Sequence, residues 1–227
     1  MPSLLLVHGA GGGGWEWQAW ARVFSAAGWQ VAAPDLQPAP AGLAQTHLDD
    51  YRGQVRDALA ALPRPRASAG ASLGGLLALA CAGDADALVL VNPLPPAPWH
   101  AQLPAAPRGD AVVRWGARAS LAGTRAAMPD ARPGDAWFAF RRWRDESGAV
   151  LDAARAGIEC ALPSCPTWVL ASASDEDVPC AISQRVAEGI GADFHRLEDA
   201  SHVGPLIGRH AVPAAMRALT WLNVKFA

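Results

Sequence analysis

Short unbroken apolar runs alternate along this chain with stretches whose apolar positions recur every three to four residues. The runs are too short for buried helices and read as strands covered on both faces; the periodic stretches read as amphipathic helices. Strands are predicted over residues 4–7, 29–33, 66–71, 87–91, 167–171 and 193–197. Helices are predicted over 15–27, closed by Gly28, over 47–62, closed by Pro63, and over 76–80, 181–190 and 211–222. This alternation predicts an α/β fold, a doubly wound, mostly parallel sheet of about six strands with helices on both faces.

Between residues 94 and 163 the alternation breaks. The segment is rich in proline, arginine and tryptophan (Trp99, Trp115, Trp137, Trp143). It predicts helix, notably over 141–157, and no strand. We read it as a helical lid inserted into a core formed by 1–93 and 164–227. Its nine arginines against five aspartates and two glutamates make it weakly basic, while the whole chain carries a formal charge of -2. A weakly basic lid would favour an anionic substrate, though only slightly.

Composition narrows the function classes. A chain of 227 residues, 51% of them hydrophobic, can bury one large core. The slight net negative charge provides no basic footprint for nucleic acid. Four cysteines (Cys81, Cys160, Cys165, Cys180) lack metal-ligand spacing, and the histidines are scattered. The cysteines read as free thiols in a reducing compartment, and no metal or cofactor is expected. No apolar run approaches the ~20 residues of a membrane span. Met1-Pro2-Ser3 leads directly into the first strand without a signal-like region, so a cytoplasmic location is expected.

The chemistry centres on Gly70-Ala71-Ser72-Leu73-Gly74, between a strand and an apolar helix. A serine at a tight strand-to-helix turn projects its hydroxyl, and its neighbours two residues away must be small to avoid clashes. His8-Gly9-Ala10-Gly11-Gly12-Gly13-Gly14-Trp15 follows the first strand and suits a loop whose backbone approaches a ligand. As a dinucleotide fingerprint it fits poorly, because only Asp35 stands near ribose distance, inside Ala33-Pro34-Asp35. Functional residues of parallel sheets gather at the carboxyl ends of strands. Four such loops carry His8 and its glycines, Ser72, an acidic stretch at Asp175, and His202. The order serine, acid, histidine is that of a nucleophile–acid–base set.

On these motifs residues 4–222 resemble the α/β-hydrolase superfamily. His8-Gly9-Ala10, with Gly14-Trp15 and Trp17, resembles the start of plant methyl esterases and hydroxynitrile lyases. The resemblance implies Ser72 as nucleophile, His202 as base and Asp175, four residues before Pro179, as acid. It also implies an oxyanion hole from the amides of Ala10 and Leu73. Asp177 precedes Val178-Pro179, whose geometry should carry it away; Asp199 should brace its own loop. His8 is expected to orient the glycine loop, and Asp35 to serve a turn or a helix cap. His100, His195 and His210 are expected at the surface or in packing.

Two departures from the family pattern stand out. The chain begins at what is usually the third strand, and no Gly-His-Gly follows Asp35. The implied activity is hydrolysis of a small-molecule carboxylic ester through an acyl-enzyme. A thioesterase or acyltransferase would use the same residues. A hydroxynitrile lyase is disfavoured, since the resemblance to that group implies a lysine near the serine and the expected lid has none. From another class, a non-catalytic ligand-binding protein on a hydrolase scaffold would not need the base beside its serine.

Overall fold

The computed structural model describes residues 1–105 and 110–227; residues 106–109 of the expected lid lie outside this description. The chain opens with β1 (Ser3–Val7), α1 (Gln18–Ala26), β2 (Gln30–Ala32), α2 (Leu48–Ala60), β3 (Arg66–Ala71), α3 (Leu73–Ala80) and β4 (Ala87–Val91). There follow β5 (Val112–Val113), α4 (Leu121–Ala127), α5 (Pro133–Phe140), β6 (Glu146–Ser147) and α6 (Gly148–Ala156). The chain then returns to the main sheet with β7 (Thr167–Ser172), α7 (Cys180–Ile190), β8 (Asp193–Leu197) and α8 (Ala211–Lys225).

Six strands form one sheet in the order β2-β1-β3-β4-β7-β8, with every neighbouring pair parallel. Successive side chains of the central strands enter opposite cores, as a period of two requires. Leu4 and Leu6 pack with α1 and α8 around Trp17, Trp20, Phe24 and Leu222. Leu5 and Val7 pack on the other face with Val55, Leu59, Leu76 and Leu77. β3 offers only alanines (Ala67, Ala69, Ala71) to the first face, which leaves room for the indoles of Trp17 and Trp20, packed edge to face at 5.1 Å.

Register determines where function can assemble. Val7 is paired with Gly70, and Ala71 with Val91, so β1, β3 and β4 end level with one another. From β1 the chain runs outward to β2 and then crosses back to β3. The loops leaving β1 and β3 therefore diverge in opposite directions and open a crevice between them.

The segment between β4 and β7 departs from its expected form. It contains a strand pair, β5 against β6, joined antiparallel through Val112–Ser147 and Val113–Glu146. The helix expected over 141–157 starts only at Gly148, where Ser147 Oγ caps it by accepting the Val150 amide at 3.3 Å. Glu146 is buried beside Tyr51 and the glycine loop, and that contact draws residues 146–147 out of helix. α4 and α5, of seven and eight residues, are too short for periodicity to reveal. In the core, α3 begins at Leu73, three residues before its expected start. Among the described residues no helix is long and apolar enough to cross a membrane.

Candidate active site

A single residue, Ser72, connects β3 to α3. Its backbone lies at φ 51°, ψ −118°, a conformation that costs a non-glycine residue about 1–3 kcal/mol. The surroundings enforce it. The Ser72 amide donates to Val91 O at 3.0 Å, and the Ser72 carbonyl accepts from Gly75, Leu76 and Leu94. A methyl group on Gly74 would run into the carbonyl oxygens of Val7 and His8, and one on Gly70 into that of Gly74. Ser72 remains partly exposed.

His202 stands in the loop after β8 and Asp175 in the loop after β7; the His202 carbonyl is held by Asn92, next to Val91, whose carbonyl accepts the Ser72 amide. His202 Nδ1 donates to Asp175 Oδ2 at 2.7 Å. Asp175 Oδ1 accepts the amides of Asp177 at 2.9 Å and Val178 at 2.8 Å, so the turn holds the buried carboxylate in place. Burial would lower the imidazole pKa. The hydrogen bond and charge of Asp175, aided by the charge of Asp177, outweigh it and raise the pKa above its ordinary value. Of the three acids considered from sequence, Asp175 faces the imidazole, whereas Asp177 and Asp199 are exposed.

The loop after β1 lies against the serine: a methyl on Gly9 would touch Ser72 Cβ at 3.4 Å. Most of its backbone is engaged. Gly9 N donates to Glu16 Oε2, Gly11 N to Glu146 Oε2, Gly12 N to Gly9 O and Gly14 N to Asp35 Oδ1. Ala10 N donates to nothing among the described residues, and neither does Leu73 N at the first turn of α3. These are the two amides singled out from sequence. The helix N-terminus at Leu73 adds a positive dipole end.

His8 is buried inside the loop, its Nδ1 donating to Gly9 O at 2.7 Å. Its Nε2 accepts from Leu36 N at 2.8 Å and faces Arg144 Nη2 at 3.1 Å. Burial and Arg144 lower its pKa to about 4, so the ring is neutral. Asp35 takes the Gly14 amide and pairs with Arg144 at 3.7 Å.

Five contributors are not legible as site residues in the sequence. Asn92, at φ 43° beyond β4, donates from Nδ2 to Ser172 Oγ and to His202 O, and accepts the Ser172 amide. Asn tolerates such a backbone, so an asparagine directly after the apolar run 87–91 is a usable signal for this turn. Glu16 is buried between two tryptophans, and burial raises its pKa to about 8. Arg144 and Glu146 come from the inserted segment, as does Asp130, which accepts the Ser201 amide beside His202. Nothing in the local sequence marks them.

Asp175, Asp177 and His202 are the one group among the described residues with potential metal-ligand atoms all within 4.8 Å of each other. Asp175 and His202 are already bonded to one another, so a metal ion there would have to break that bond. The other histidines lie elsewhere: His195 packs on Trp168 at 6.1 Å, His210 Nε2 bonds Asp199 O, and His100 stands beside Gly157.

A model of the family described as alpha/beta hydrolase matches residues 4–215. No curated protein matches the sequence significantly. Among solved structures, polyneuridine aldehyde esterase is 19% identical, covering 96% of this chain and 99% of its own at a TM-score of 0.74. A methylesterase from Arabidopsis is 16% identical, covering 97% of this chain and all of its own at 0.72. Methylketone synthase I from tomato, in complex with 2-tridecanone, is 15% identical, covering 99% and 98% at 0.78.

Proposed function

Because this chain belongs to the alpha/beta hydrolase family, we propose that it hydrolyses small-molecule carboxylic esters through an acyl-enzyme formed on Ser72. The observation that carries the reading is the Asp175–His202 bond at the same end of the parallel sheet as a strained, partly exposed serine. Because Nδ1 carries the proton shared with Asp175, Nε2 is the basic nitrogen and takes the proton of Ser72 Oγ as that oxygen attacks the ester carbon. The tetrahedral oxyanion is bound by the Ala10 and Leu73 amides, each worth on the order of 3 kcal/mol. His202 then protonates the departing alkoxide. Water repeats the cycle: Nε2 takes a water proton, hydroxide adds to the acyl carbon, and Ser72 leaves with the proton returned to it.

Residues 94–163 act in this reading as the lid over the acyl site. Trp143 is packed edge to face on Trp15 at 5.2 Å and serves structure. Trp115 is 44% exposed and lies against Gly11, which makes it the natural apolar wall beside the oxyanion loop. The esterases among similar structures support an ester substrate, and the same groups would serve a thioester.

The test is labelling with a fluorophosphonate, which reacts only with an activated serine, followed by turnover of p-nitrophenyl esters against acyl-CoA thioesters. Wild type should be labelled and should turn over the esters; Ser72→Ala should do neither. Unlabelled wild type that binds ligands without turnover would instead identify a binding protein.

A further inference from the structure

We propose that Glu146 and Arg144, both from the inserted segment, are positioning residues for the oxyanion loop: they clamp the backbone on either side of Ala10 so that, of the amides of residues 9–12, only that of Ala10 is left for the oxyanion. The inference rests on the ester-hydrolase reading above. Its basis is the way each peptide unit of the loop is held.

The Ala10 N–H belongs to the same peptide plane as the Gly9 carbonyl and points the opposite way. That carbonyl accepts from His8 Nδ1 at 2.7 Å and from Gly12 N at 3.2 Å, which sets the direction of the Ala10 amide. His8 can donate from Nδ1 because its Nε2 serves as acceptor. Two donors converge on Nε2, Leu36 N and Arg144 Nη2, so Arg144 helps hold the tautomer that holds the plane. The next peptide units are gripped directly. Arg144 N donates to Gly11 O at 2.7 Å, and Arg144 Nε to Gly12 O at 2.6 Å.

Glu146 completes the clamp. One oxygen accepts the Gly11 amide at 3.0 Å; the other accepts Tyr51 OH and Ser147 N, both at 2.8 Å. The side chain is buried and both oxygens act as acceptors, so the carboxylate cannot turn away without abandoning a donor. Gly11 sits at φ +68°, a conformation that a free glycine leaves easily and that the clamp retains. Without it, the Gly11 amide is free to compete for the oxyanion and the Ala10 plane to rotate.

The test uses Glu146→Gln and Arg144→Met. Glutamine presents an NH2 where a donor needs an acceptor; methionine keeps the stem and the backbone bond but removes the fork. Each variant should lose about tenfold to hundredfold in kcat, the scale of a weakened oxyanion donor, with KM nearly unchanged. Affinity for phenylboronic acid, whose serine adduct carries the negative oxygen, should fall in parallel. Hydrogen exchange of a peptide spanning residues 8–14 should quicken, a readout that needs no activity. Wild-type kcat with unchanged exchange would overturn the clamp. So would a loss accompanied by lower melting temperature and higher KM but unaltered boronate affinity. Should Glu146→Gln fail to fold, Arg144→Met decides, since that side chain is one-third exposed. Should wild type hydrolyse no ester, the functional reading falls while exchange over 8–14 still decides the clamp.

Discussion

Replacing Asp175 by asparagine puts the proposed base mechanism to its sharpest test, because the structure dictates how the new amide must sit. Asp175 Oδ1 accepts two amides, from Asp177 and from Val178, and Val178 is buried. Turning the NH2 of asparagine towards those donors would strand them, at about 1–3 kcal/mol for each buried donor left without a partner. The amide oxygen therefore stays, and the NH2 takes the place of Oδ2, facing His202 Nδ1, now at 2.7 Å from that oxygen. Nδ1 must then accept, which leaves the proton on Nε2, where it cannot receive another from Ser72. On the precedent of serine proteases the loss is about 10⁴ in kcat, or about 5 kcal/mol of barrier. The assay is kcat for a p-nitrophenyl ester, with near-ultraviolet circular dichroism to verify the fold. Asp177→Asn, altering an exposed charge, should cost tenfold or less. Asp175→Asn within tenfold of wild type, or the larger loss on Asp177, would refute the reasoning.

Three further outcomes are expected. The base limb of kcat/KM against pH should have its midpoint above ~6.5, because Asp175 and Asp177 keep His202 protonated to higher pH; a midpoint below that value contradicts the geometry. Urea-unfolding free energy should fall as pH rises from about 4.5 through about 8, because the folded protein retains a Glu16 proton that the unfolded chain releases. Glu16→Gln should flatten that slope, and an unchanged slope would count against a buried, protonated Glu16. Gly74→Ala, whose methyl meets the backbone of Val7 and His8, should destabilise by at least ~1–3 kcal/mol, while Gly53→Ala, in open space inside α2, should stabilise by about 0.5–1 kcal/mol. Melting curves of the pair check both signs.

The sheet was legible because residues 4–7 and 87–91 are unbroken apolar runs, a local signal that survives folding. The turn at Ser72 was legible because small residues must surround it, a steric requirement written into neighbouring positions, whereas the amides of Ala10 and Leu73 came only from the family resemblance. Glu146 was not. Its surroundings are Tyr51, 95 residues earlier, and Gly11, 135 residues earlier, and no window along the chain contains them together. The same holds for the helix expected over 141–157, where periodicity was real but a long-range contact overrode it at 146–147. Asn92 was a partial miss: its residue type suits a positive φ, yet its bonds to β7 and to the His202 loop depend on the sheet order.

The hydrogen bonds from residues 144 and 146 to Gly11 and Gly12 bear on how this scaffold can be re-engineered. Chimeras commonly exchange the segment inserted in a sheet while leaving the strands and their turns untouched, on the premise that the two are separable modules. Here they are not. A donor segment lacking the equivalent of Arg144 and Glu146 would leave the recipient's glycine loop without its outer partners, however well its helices packed. The practical crossover points lie inside the insert, before residue 144 and after residue 147, so that the graft replaces the outer helices and the host keeps the tie to its own loop.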